Sequence, residues 1–172
     1  LSSDNTDNEL YTPFYAVDPI IKYLPKVKII WCPFDEEWSA FYTRLKELGY
    51  KTIRSSLKDG QDFFKYEPSS WDIIISNPPF SIKDKIIERL YSFDKPFAVL
   101  LPLNSLQGKT RYKYFEQGIQ LLSFDSRICY HNPNNMKIVI KGTPFASAYF
   151  CRGLLPKDLI IERLNTYERS LI

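Results

Sequence analysis

Short, almost wholly apolar runs alternate along this chain with amphipathic stretches of helical period, and few folds accommodate that rhythm. "KVKIIWCP" (26–33), "YKTIRSSL" (50–57), "WDIIISN" (71–77) and "PFAVLLPL" (96–103) read as strands, because β-branched and aromatic residues pack best on a pleated surface. Between them "EEWSAFYTRLKELGY" (36–50) reads as a helix, with Trp38, Phe41, Leu45 and Leu48 on one face and Gly49 as its stop. "SIKDKIIERLYSF" (81–93) turns Ile82, Ile86, Ile87 and Leu90 inward, with Ser81 as the expected N-cap. The rhythm predicts a basic helix over 108–118, strands over 119–130 and 145–155, a loop or hairpin over 131–144 and a closing helix over 156–172. Strands that are apolar throughout are buried on both faces. The pattern therefore predicts an α/β fold, a mostly parallel sheet with helices on both faces. In such sheets ligands bind beyond the carboxyl ends of the strands, where strand order reverses.

A length of 172 residues suits one domain with a real core; the polar stretch after the leading Leu predicts a frayed end over 1–10. The leading Leu is consistent with trimming. No run approaches the roughly 18 to 20 apolar residues of a membrane span, and no secretory pattern opens the chain. Cys32, Cys129 and Cys151 are odd in number and far apart, with His131 as the lone histidine. That argues against a disulfide framework or a metal site and fits a cytoplasmic location. It also leaves little room for Ser-His-Asp or Cys-His catalysis. A net charge of +3 permits nucleic-acid contact without announcing it. The aromatic content of 16% exceeds what packing a small core usually requires.

The strand over 71–77 runs straight into Asn77-Pro78-Pro79-Phe80. One reading is a strand-to-helix turn stiffened by proline, with Phe80 as core. The other gives each residue a task. Rigid backbone just past the strand lets the Asn77 amide oxygen and the Pro78 carbonyl converge on one spot. Two acceptors there bind both hydrogens of a planar exocyclic amine and draw its lone pair out of conjugation. Phe80 then stacks on the ring that carries the amine.

At these four residues the chain resembles the S-adenosylmethionine-dependent amino-methyltransferases, specifically the N6-adenine DNA methyltransferases with their (D/N/S)-P-P-(Y/F/W) motif. The resemblance implies a Rossmann-like class I methyltransferase fold. It also implies S-adenosyl-L-methionine as cofactor and a flipped adenine held by Asn77 and Pro78 against Phe80. Relatives with the same motif methylate guanine in RNA or glutamine side chains, so RNA and protein acceptors stay open beside DNA, the favoured polymer.

Other segments extend the likeness. "YTPFYAVDPIIKYL" (11–24) resembles the stretch before the first strand, where Thr12 and Pro13 would help hold the methionine end of the cofactor. As a plain helix it buries Val17, Ile20, Ile21 and Leu24, and both readings stand. In "GQDFF" (60–64), Asp62 would meet the cofactor's adenine amine and Phe63 its ring, although Asp in a Gly-containing turn is also ordinary turn chemistry. "CPFDEEWS" (32–39) aligns with the D-P-F-C-G-S-G cofactor loop at Pro33 and Phe34 but lacks its glycines. Asp35 or Glu36 would reach the cofactor there, or would simply cap the following helix. Ser55 or Ser56 stands where an acid commonly binds the ribose.

No separate target-recognition domain is expected. Nucleic-acid contact falls to loops and to Lys109, Arg111 and Lys113 with Tyr112 and Tyr114, a cluster that reads equally as a solvated face. Such compactness suits a phage-like enzyme. The missing glycines keep one rival from another class: a methyltransferase-like interaction module that no longer binds cofactor.

Overall fold

The computed structural model describes residues 10–133, 135–139 and 143–172. Nearly all of the expected N-terminal fraying thus lies outside the described residues. Seven strands form one sheet in the order β2-β1-β3-β4-β8-β5-β9. They are β1 (Ile29–Pro33), β2 (Lys51–Ser55), β3 (Ile73–Ser76), β4 (Phe97–Pro102), β5 (Gln120–Phe124), β8 (Ser147–Arg152) and β9 (Leu159–Glu162). Strands β1 to β4 pair in parallel, and β8 lies antiparallel between β4 and β5. A short hairpin of β6 (His131–Asn132) and β7 (Asn135–Val139) fills part of the loop between β5 and β8.

Side chains alternate cleanly across the sheet. Ile30, Cys32, Ile73, Ile75, Ala98 and Leu100 face one core, shared with α1 (Phe14–Ile21) and α2 (Ala40–Glu47). Trp31, Ile74, Phe97, Val99 and Leu101 face the other, shared with Ile86, Ile87 and Leu90 of α3 (Lys83–Ser92). That period of two, buried on both sides, is why these strands look continuously apolar in sequence.

Trp31 accounts for much of the aromatic surplus. It is fully buried among Trp71, Phe63, Phe93 and Tyr66 at ring distances of 5.2, 5.6, 5.9 and 6.3 Å, and its indole N–H donates to Ser55 Oγ at 2.9 Å. Rings in tilted and T-shaped contact gain about 0.5–1.5 kcal/mol per pair beyond area burial. The aromatic excess is thus largely core.

Several expected elements change shape. The closing helix over 156–172 is absent: Leu159–Glu162 instead adds a parallel strand to β5, and residues 163–172 run on without regular structure. A free sheet edge offers Leu159-Ile160-Ile161 ladder bonds that a solvent-facing helix turn would not. Glu162, on the Ile160 side, then accepts from Lys22 and Tyr23 of the α1 region, each at 2.5 Å. Ser81 does not cap α3. Pro79 leads into a 3-10 turn over Phe80–Ile82, and α3 begins at Lys83 without a side-chain cap. Helix α2 begins at Ala40, so Trp38 lies in the loop before it, while Gly49 ends it with φ +81° as expected. The basic helix α4 spans Lys109–Phe115.

Candidate functional site at the carboxyl edge of the sheet

From β1 the chain crosses to β2 on one flank, then returns past β1 to β3 on the other. The reversal leaves a crevice beyond the carboxyl ends of β1 and β3, the ligand position of an open α/β sheet. Phe34 and Asp35 follow β1 there, and Asn77 follows β3. The two strand ends are tied together: Ser76 Oγ donates to the Pro33 carbonyl at 2.6 Å, out of solvent.

A cleft of about 160 Å³ occupies this place. Thr12, Phe34, Asp35, Asp62, Phe63 and Asn77 all line it. A smaller hollow of about 50 Å³ adjoins it through Leu10, Tyr11, Phe34, Asn77 and Pro79, and adds Pro78 and Phe80. Residues far apart in sequence therefore converge on two connected spaces, with Phe34 and Asn77 on the wall of both.

Two polar atoms on that wall lack a partner among the described residues. Asn77 Nδ2 donates to the Leu10 carbonyl at 2.7 Å, yet its Oδ1 is buried and unpaired. Thr12 is 6% exposed and its Oγ1 is likewise unpaired. A buried polar atom without a hydrogen bond costs about 1–3 kcal/mol, and two of them on one cleft leave hydrogen-bonding capacity there that the described residues do not use.

The loop after β1 reaches its shape without glycine. Phe34 sits at φ +70°, a left-handed conformation rare for a bulky residue, and its ring rests on Phe63 at 5.0 Å. Asp35 is 5% exposed and accepts the Tyr42 backbone N–H at 3.1 Å, within the first turn of α2. Burial pushes its carboxyl well above the usual range, and the Tyr42 bond opposes that only in part. Asp35 therefore accepts from the first turn of α2 and also borders the cleft. Glu36 lines the cleft 3.9 Å from Lys58 Nζ. Trp38 lines the cleft, its ring nearly perpendicular to Tyr11 at 4.8 Å.

Asp62 accepts the Phe64 N–H at 3.0 Å, an Asx turn, and still borders the cleft. Phe63 is 3% exposed, with most of its ring in the Trp31 cluster. Ser55 is taken by the Trp31 indole, which leaves Ser56 on the cleft wall. Phe80 is held perpendicular to Phe145 at 5.4 Å and to Tyr130 at 6.5 Å, both contributed by the chain between β5 and β8.

His131 is 3% exposed, and burial lowers its pKa. Its backbone bonds Tyr11 in both directions, fastening the hairpin to the cleft's rim. Of the basic cluster, Lys109 and Lys113 are exposed. Arg111 is committed internally, donating to the carbonyls of Ser105 and Gln107, each at 2.7 Å, and to Asp84 at 2.6 Å. Leu171 also lines the cleft, a neighbour that nothing in the sequence signals. Among the described residues no group of three His, Cys, Asp or Glu could hold a metal ion, and no helix is long and apolar enough to cross a membrane.

No protein-family model and no curated protein sequence matches the chain. Solved structures do. A dimethyladenosine transferase from Plasmodium falciparum superposes over 87% of this chain and 64% of its own length, with TM-score 0.50 and 15% identity. TrmN from Thermus thermophilus covers 82% of this chain and 48% of its own length, with TM-score 0.43 and 15% identity. The chain thus spans less than two thirds of the length of either. The likeness is one of fold: this is the Rossmann-like class I methyltransferase architecture, a mostly parallel sheet carrying one antiparallel strand near its end.

Proposed function

We propose that this chain transfers a methyl group from S-adenosyl-L-methionine to the N6 amine of adenine in DNA. The observation that carries the reading is the buried, unpaired Asn77 Oδ1 at the junction of the two hollows. An amide oxygen held there, desolvated and unmatched, is an acceptor waiting for a donor. The Asn77 Nδ2 bond to Leu10 fixes which way the amide faces. The likeness in fold to a dimethyladenosine transferase is in keeping with an adenine acceptor.

The larger cleft fits the cofactor in the character of its lining. Thr12 Oγ1 is an orphaned hydroxyl, Asp35, Glu36 and Asp62 supply carboxyls, and Phe34 and Phe63 provide an apolar floor; Pro33 lies beneath it, off the cleft wall, with its carbonyl tied to Ser76. When bound, S-adenosylmethionine would supply an electrophilic methyl carbon whose bond to the sulfonium sulfur breaks on transfer, leaving a neutral thioether. The chain's own residues do the rest. Asn77 Oδ1 and the Pro78 carbonyl accept the two hydrogens of the adenine amine and turn its lone pair outward. Phe80, braced by Phe145 and Tyr130, gives the base a face to stack on. The nitrogen loses one of those protons to water as its new bond to carbon forms, so no side-chain base is required. Lys109 and Lys113 remain as the phosphate contacts of the basic cluster, with Arg111 holding their helix in place.

The test is transfer of a radiolabelled methyl group onto duplex DNA, RNA and a protein extract in parallel. Label in DNA, recovered as N6-methyladenine after digestion, is expected. Label in RNA or protein alone would reassign the acceptor. A second reading has its own observation: the glycine-free loop with Phe34 at φ +70° and Trp38 at the cleft favours an interaction module that no longer binds cofactor. Calorimetric titration with millimolar S-adenosylmethionine, with and without nucleic acid, decides between them.

A further inference from the structure

Residues 163–172 are exposed except at two points, Leu164 and Leu171, each 6% exposed. The segment is fastened along its length. The Leu164 N–H donates to Asp125 Oδ1 at 2.9 Å, and the Tyr167 hydroxyl donates to Asp18 Oδ2 at 2.6 Å. Arg169 forms a two-pronged pair with Glu47 of α2 and lies 3.8 Å over the Phe14 ring of α1. Asp18 in turn accepts from Arg44 at 2.8 Å, so helices α1 and α2 and the segment share one polar seam. Beyond that seam Leu171 enters the core that holds Phe41 and, packed against it, Trp38, and all three line the larger cleft.

Surface ion pairs taken singly contribute little. A two-pronged Arg–carboxylate pair on an aromatic ring, with a second hydroxyl–carboxylate bond alongside, defines one path for the chain. The cleft spans both cores of the sheet: Phe63 belongs to one, while Phe41 and Leu171 belong to the other.

We infer that residues 163–172 form a latched strap whose Leu171 is a cofactor-binding residue, completing the apolar wall beside Trp38 and Phe41. The inference rests on the proposal that the cleft binds S-adenosylmethionine. It adds a ligand contact from the far end of the described chain, and it gives the Arg169–Glu47 and Tyr167–Asp18 bonds the task of holding that contact in place.

Titration of S-adenosylmethionine, followed by calorimetry and by tryptophan fluorescence, with Trp38→Phe identifying the part that comes from Trp38 at the cleft, tests this on the full chain. Leu171→Ala should weaken affinity about five- to tenfold through lost apolar contact, and Leu171→Met, which keeps the volume, should restore it. Arg169→Ala, which leaves no core cavity, should weaken affinity in the same direction. It should also make residues 163–172 the first site of limited proteolysis, with the bound cofactor slowing the cut. Unchanged affinity in both Leu171→Ala and Arg169→Ala, with the wild type binding normally, overturns the strap and leaves the methyltransferase reading intact. Absence of binding by the wild type overturns the cofactor reading and the strap with it. If Leu171→Ala does not fold, Arg169→Ala alone decides.

Discussion

Replacing Asn77 by alanine separates a catalytic amide from a structural one. The change removes the 2.7 Å bond from Nδ2 to the Leu10 carbonyl, a loss of about 0.5–1.5 kcal/mol. It also removes the buried Oδ1 that has no partner, which returns about 1–3 kcal/mol of desolvation cost. The two effects oppose each other, so net stability should lie between a loss of about 0.5 and a gain of about 2.5 kcal/mol. For a chain of this size each kcal/mol is about 2–4 °C in Tm, so no large drop is expected. Turnover should respond far more. Loss of one preorganised hydrogen-bonding group aimed at the reacting atoms costs about 100- to 1,000-fold in enzymes with comparable sites. Single-turnover methyl transfer under saturating cofactor and DNA, paired with a melting curve, measures both quantities on one preparation. Asn77→Asp keeps an acceptor but sets a carboxylate oxygen against the Leu10 carbonyl, so its rate should fall between wild type and alanine. Turnover of Asn77→Ala within about threefold of wild type refutes the assignment. So does a large activity loss accompanied by a Tm drop beyond about 10 °C, which would make Asn77 a fold residue.

Asp35→Asn should raise Tm at pH 7–8 and change it little near pH 4. Burial raises the folded carboxyl's pKa, so the wild type loses stability as pH climbs from the unfolded value near 3.9 toward the folded one, a loss that asparagine avoids while still accepting from Tyr42. Thermal melts of both proteins across that range check the sign, and a variant less stable than wild type at pH 8 refutes it. Gly108→Ala should destabilise by about 1.5–3 kcal/mol, because its Cβ would come 2.3 Å from Arg111 Nη2 and displace a guanidinium held by three groups; urea unfolding reads this directly. Cys32 and Cys151 are fully buried, and burial pushes both thiols up, so neither should react with a thiol reagent until the chain unfolds. The half-buried Cys129 should react first, and labelling followed by peptide mapping distinguishes them.

What the residues made legible was whatever depends on short-range pattern. The α/β alternation, the strands through Ile30, Ile74 and Val99, and the helical face of Phe41 and Leu45 follow from periodicity and strand propensity alone. The position of Asn77 at the strand end was legible because two prolines in succession stop the ladder just beyond it. Residues 156–172 misled because Leu159-Ile160-Ile161 fits a helix or a strand equally well. Only the edge of β5, set by distant pairing, decides between them. Arg111 looked like a phosphate ligand, since sequence shows a charge but not the carbonyls of Ser105 and Gln107 that surround it. Leu171 carried no local mark at all. It reaches the cleft through a seam of side chains from α1 and α2.

The insertion of β8 between β4 and β5 has a consequence for biosynthesis. A nascent chain that has emerged only as far as β5 holds the four strands β2-β1-β3-β4 and a lone β5 with no paired neighbour. The edge of β4, Phe97–Pro102, stays open until Ser147–Arg152 leaves the ribosome. An open apolar edge of that length invites pairing with another chain. Closure of the sheet is therefore expected to wait for the pairing of β8 with β4 and β5, and the chain to be most vulnerable to aggregation before that step.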